Sequence, residues 1–128
     1  MRRALLWAPA VAHMAFIFAA SSVPGSQIPG NIWDKLAHLL VYAVLGIAFT
    51  IPLSGGRWRG VGAGTVAVAI VLSLVYGISD EIHQHFTPGR TPDVMDVVAD
   101  TIGAAAGAIL VFAASMVVDR LRARPVER

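Results

Sequence analysis

Four apolar runs, at residues 4–20, 36–53, 61–79 and 94–118, constrain this chain more than any other feature. Each is close to the roughly 20 helical residues needed to cross a bilayer core. They leave little of a 128-residue chain for anything else. A composition 56% hydrophobic, with a mean hydropathy of +0.68, is too apolar for a soluble domain of this size. The expected fold is all-α: an integral membrane four-helix bundle filling residues 1–128, multi-pass in the cell membrane. The first run also has features of a signal peptide, with Arg2 and Arg3 ahead of it and Ala19-Ala20-Ser21 behind it. It is long for a signal h-region, and its loss would leave an odd number of spans, so it is read as retained.

The basic residues give the bundle a direction. Arg2, Arg3, Arg57, Arg59, Arg120, Arg122, Arg124 and Arg128 fall on one side of a four-span topology, and only Lys35 and Arg90 on the other. The positive-inside rule then places both termini in the cytoplasm. The pI near 9.7 reflects this sorting. No basic folded face of the kind that binds nucleic acid is visible, and the basic tail reads as a topology anchor or a contact with anionic lipid. Cysteine is absent, which excludes disulfides and thiolate chemistry.

The non-cytoplasmic side carries the polar chemistry. Asp80, Glu81, His83, His85, Arg90 and Asp93 crowd between two apolar runs of a chain that is only 14% charged. Ionisable groups at such a boundary are costly to hold and read as a working site. Asp34, Lys35, His38 and Tyr42 open the second span and project within an arc of about 100°. Asp34 fits a helix cap, and Tyr42 fits an interfacial anchor. Glu81 and His85 are four apart and suited to pairing. Gln84 shares the polar end of span three. Arg90 sits in a Pro- and Gly-rich turn, where its planar fork suits a phosphate or carboxylate. Asp93, Asp96 and Asp100 lie within about 60° on the face of span four, with Asp100 about 10 Å deeper than Asp93. Asp93 follows Pro92 and fits an N-cap. Gly103 and Gly107 form a small-residue ridge for close helix approach. His13, alone in span one, reads as a hydrogen-bonded packing residue.

The spaced residues Asp34-Lys35-x-x-His38-x-x-x-Tyr42, Glu81-x-x-Gln84, Pro88-Gly89-Arg90-x-x-Asp93-x-x-Asp96 and Gly103-x-x-x-Gly107 resemble the VanZ-like family, as does Ser21-Ser22-x-Pro24. The likeness runs from Ser21 to Gly107. It implies a small bacterial plasma-membrane protein from a family whose name-giving member is associated with teicoplanin resistance. Family members often carry Asn where this chain has Asp100, which adds a potential negative charge here.

Two function classes follow. The first is a site for a membrane lipid or lipid-linked envelope precursor. Here Lys35, Arg90, Tyr42, Gln84, Asp34, Asp93 and Asp100 hold the ligand, and Glu81, His38 and Asp96 handle protons and orient cations. No nucleophile motif is present, so an enzyme of this kind would use water or a substrate hydroxyl. The second is a non-catalytic interaction protein whose polar network only specifies packing. Homo-oligomer formation is left open by both. A metal reading meets no His-x-x-x-His spacing, and His83 and His85 diverge on a helix. No metal or other cofactor is therefore expected. A transporter is disfavoured, because polar residues do not line the cytoplasmic half.

Overall fold

The computed structural model describes residues 2–27 and 32–123. Arg124 and Arg128 of the basic tail, and loop residues 28–31, lie outside the described residues. Among the described residues five α-helices form: α1 (Arg2–Leu5), α2 (Ala8–Ser21), α3 (Ile32–Leu53), α4 (Ala63–His85) and α5 (Val94–Ala123). Arg3–Ser21 and the three longer helices make four segments long and apolar enough to cross a membrane. Four such helices make this a membrane protein.

Local chemistry sets the boundaries. Pro9 sits in the first turn of α2, where its missing N–H costs nothing. Gly55 and Gly56 take φ of 70° and 73° and turn the chain out of α3. Gly89, at φ 73°, does the same between α4 and α5. Asp93 caps α5, its Oδ1 accepting the Met95 N–H at 2.8 Å. The cap expected of Asp34 is not observed: α3 starts earlier, and Asp34 lies inside its first turn, where a carboxylate still meets the positive end of the helix dipole. The third span also runs further than its apolar stretch, to His85.

α3 and α5 run parallel and form the tightest pair. A Cβ on Gly103 would collide with the Leu39 carbonyl, and one on Gly107 with the Ala43 carbonyl. Gly46 answers from α3, its face pressed on the Ala104 backbone. Bare backbones in contact are how helices associate where lipid removes the hydrophobic drive. Around this seam lie Tyr42, Leu45, Phe49, Ala69, Ala104, Ala108 and Val111, all buried. Val68, Val71, Val75, Ile78 and Ile82 form an exposed stripe along α4. That spacing marks one helix face, apolar and turned outward, as a lipid-facing surface is.

Helix α2 closes the bundle through polar contacts. His13 Nε2 donates to the Val41 carbonyl at 2.9 Å, the packing role expected of it. Tyr76 Oη donates to the Met14 carbonyl at 2.6 Å. The basic residues gather at the end where α3 stops and α5 ends: Arg57, Arg59 and Arg122 surround one hollow with Asp119. Asp119 accepts from Arg59 Nε and from Gly60 N–H, each at 3.0 Å, and so ties the α3–α4 loop to α5.

Candidate functional site

The opposite end holds six of the eight carboxylates: Asp34, Asp80, Glu81, Asp93, Asp96 and Asp100. The polar arcs of α3 and α5 face each other there. Lys35 Nζ donates to Asp93 Oδ2 at 2.6 Å and to Asp96 Oδ1 at 2.8 Å. One turn deeper, His38 Nδ1 lies 2.9 Å from Asp100 Oδ1, in a pair almost closed to solvent. With the proton on Nδ1, the imidazole donates to the carboxylate and keeps a lone pair on Nε2. Gly77 on α4 makes room for this pair. A Cβ there would stand 3.0 Å from Asp100 Oδ2 and 3.4 Å from the Tyr42 ring.

Asp93, just outside the membrane-spanning part of α5, titrates below the ordinary carboxylate range. Its hydrogen bond from the Lys35 ammonium is the main cause, and the Met95 N–H adds to it.

Helix α4 contributes a second set. Glu81 Oε2 accepts the Asp93 N–H at 2.8 Å. Asp80 Oδ2 accepts from Ser21 Oγ at 2.9 Å and from Gln84 Nε2 at 3.1 Å. His83 Nε2 is 3.0 Å from Ser22 Oγ, and its ring stacks on Phe18 with centroids 4.2 Å apart. The expected Glu81–His85 pair does not form. Glu81 turns inward to the start of α5, while His85 is exposed and meets Phe86 edge-on. Glu81 finds a backbone donor in Asp93 without unwinding α4.

The loops are stitched together. Gly25 N–H donates to the Pro88 carbonyl at 3.0 Å, and a Cβ at Gly25 would strike the Gly89 carbonyl. Thr87 Oγ1 donates to the Ser21 carbonyl at 3.2 Å, and Arg90 Nε to the Val23 carbonyl at 3.4 Å. These contacts aim the Arg90 guanidinium at a cavity of about 270 Å³. Ser21, Asp34, His38, Tyr42, Asp80 and Arg90 supply its polar lining, and Phe16, Ile17, Ala20, Ala37 and Val41 its apolar wall.

The sequence-derived candidates therefore fall into two groups. Asp34, His38, Tyr42 and Arg90 line the cavity. Lys35, Asp93, Asp96, Asp100, Glu81 and Gln84 form the hydrogen-bonded frame around it. Lys35 is committed to two acids, so Arg90 is the cation that faces the cavity. Tyr42 is not an interfacial anchor: it is 1% exposed. Ser21 and Asp80 also line the cavity; the sequence placed Asp80 in the polar cluster and Ser21 in the Ser21-Ser22-x-Pro24 motif without giving either a role.

Three buried polar atoms, Tyr42 Oη, Glu81 Oε1 and Asp100 Oδ2, have no hydrogen-bond partner among the described residues. Buried polar atoms are nearly always paired, so each of these is open to a partner beyond the described residues.

A family model described as VanZ/LLP1 matches residues 5–116 of the chain. Neither the curated proteins nor the solved structures contain a match to it.

Proposed function

The chain belongs to the VanZ/LLP1 family, whose model spans the helices and the polar end alike, and on that premise we propose that the Arg90 cavity binds the anionic head group of a membrane lipid or lipid-linked envelope precursor. One observation carries this reading. A guanidinium, a tyrosine hydroxyl and an imidazole share a cavity with the apolar wall of α2 and α3. An amphiphile needs that pairing: a fork for phosphate oxygens beside a dry surface for the chain. The cluster of arginines at the other end supports a cytoplasmic position for that end and an outer-face position for the cavity, in a bacterial plasma membrane. Within the site Arg90 grips the head group, Asp100 holds His38 at its edge, and Lys35, Asp93, Asp96 and Glu81 hold the frame. An envelope precursor as ligand would also give the family's association with teicoplanin a chemical basis.

The test is lipid retention by the detergent-purified protein, read by native mass spectrometry with phosphatidylglycerol and a polyprenyl diphosphate lipid. Arg90→Ala should lose the anionic lipid and leave zwitterionic lipid unaffected. Equal retention by wild type and variant would remove the head-group assignment.

A second reading, a non-catalytic interaction protein, is favoured by the mutual satisfaction of Lys35, Asp93 and Asp96. It predicts that Arg90→Ala changes neither lipid retention nor glycopeptide susceptibility of the host.

A further inference from the structure

Asp34 and His38 are four residues apart on α3 and project from the same face, as paired metal ligands on a helix do. Asp96 reaches them from α5. One donor atom from each of the three lies within 4.8 Å of the others. A triangle of that size has its centre about 2.8 Å from each corner, so shifts of under about 1 Å bring all three donors to the roughly 2.1 Å of a metal–oxygen or metal–nitrogen bond. We propose that Asp34, His38 and Asp96 bind a divalent transition-metal ion, Zn²⁺ or Mn²⁺, at the edge of the Arg90 cavity.

Three observations besides the acids point to an ion. The first is the imidazole and what stands behind it. His38 Nδ1 is held by Asp100 Oδ1 at 2.9 Å, and Asp100 is wholly buried. A carboxylate behind a histidine fixes the tautomer that presents Nε2 and makes that nitrogen more basic, which is the usual support of a metal-bound imidazole. The second is Tyr42. Its hydroxyl is buried and unpartnered among the described residues, and the residue lines the same cavity as Asp34 and His38. The third is charge. Six carboxylates share this end with only Lys35 and Arg90 as permanent cations. Lys35 already serves Asp93 and one oxygen of Asp96, so Asp34 and the second Asp96 oxygen are the natural seat of a further positive charge.

The donor set selects the ion. Two carboxylate oxygens and one imidazole nitrogen are too few and too mixed for Ca²⁺, which takes six to eight oxygens. They are too hard for Cu(I). Three protein ligands also leave a coordination position open, in the manner of catalytic rather than structural zinc. The single-helix search made on the sequence passes over this set because the third ligand comes from another helix, 58 residues or more away along the chain.

The site is measured without lipid, so its fate is separate from that of the head-group reading. The full chain, purified in detergent with a tag that contains no histidine, is stripped with EDTA and titrated with Zn²⁺ and with Mn²⁺ by calorimetry. The chain has no cysteine to contribute a competing thiolate. The expected result is one ion per chain for at least one metal. Asp34→Asn and Asp96→Asn should each weaken binding at least tenfold, and Asp100→Asn by about 10- to 100-fold through His38. Asp34 is partly exposed, so its variant should fold even if Asp96→Asn does not, and a metal-dependent rise in melting temperature should appear in wild type and vanish in Asp34→Asn. Wild-type binding no tighter than that of Asp34→Asn, or no uptake of either metal, would overturn the proposal and leave Lys35 as the only cation of the cluster.

Discussion

Glu81 Oε2 accepts the backbone N–H of Asp93 at 2.8 Å, so the end of α4 fastens the beginning of α5. The bond spans the Phe86–Pro92 turn and sits directly above the Lys35–Asp93 pair. Glu81 is therefore part of the frame that places the acids of α5.

Glu81→Ala should lower stability by about 1–3 kcal/mol, because the Asp93 N–H loses a partly buried acceptor. Glu81→Gln keeps an acceptor oxygen at the same reach and should cost less. Thermal unfolding in detergent compares the two. Equal losses would mean that a neutral acceptor does not replace the carboxylate at this bond.

Gly103→Leu, Gly107→Leu and Gly46→Leu should each destabilise by about 1–3 kcal/mol or more, since a side chain must push into backbone on the facing helix. Ala106→Leu, at an exposed position of α5, is the control and should be close to neutral. Full thermal stability in any of the three glycine variants would contradict the seam described between α3 and α5.

Ser26→Cys should react with a membrane-impermeant maleimide in intact cells, and Trp58→Cys only after permeabilisation. Both positions are exposed and lie at opposite ends of the bundle. The native chain has no cysteine to confuse the signal. The reverse pattern would invert the orientation.

Asp93 offers a pH signature. Its pKa is lowered in the folded state, first by Lys35 and then by the Met95 N–H. The stabilisation from this ion pair is therefore complete above the unfolded value near 3.8 and is lost as pH falls through the lower folded value. The difference in melting temperature between wild type and Asp93→Asn should stay constant from neutral pH to about pH 5 and shrink in more acid solution. A difference that persists unchanged at pH 3 would mean that Lys35 does not act through the Asp93 charge.

The four helices were legible because apolar length alone fixes a span, and the Gly103–Gly107 ridge because small residues at that spacing have one ordinary meaning. The facing of Lys35 with Asp93 and Asp96 followed from the arcs of α3 and α5. Other features needed three dimensions. The helical reach of α4 to His85 was implied by the i, i+4 spacing of Glu81 and His85, but the bonds of Asp80 to Gln84 and to Ser21, which cover its polar face, were not. The partner of His38 is 62 residues away, and nothing local distinguishes Asp100 from Asp96 as its mate. Gly46 lay unmarked in an apolar run, since its role depends on the Ala104 backbone opposite.

The glycine contacts also govern the charged end. Leu39 against Gly103 and Ala43 against Gly107 lock the parallel helices in a single register. His38–Asp100 and then Lys35–Asp96 continue the same alignment toward the polar end. Sliding α5 by one helical turn would move it about 5.4 Å and strand every one of these ionic partners at once. The precision of the polar cluster is thus inherited from residues with no side chain at all.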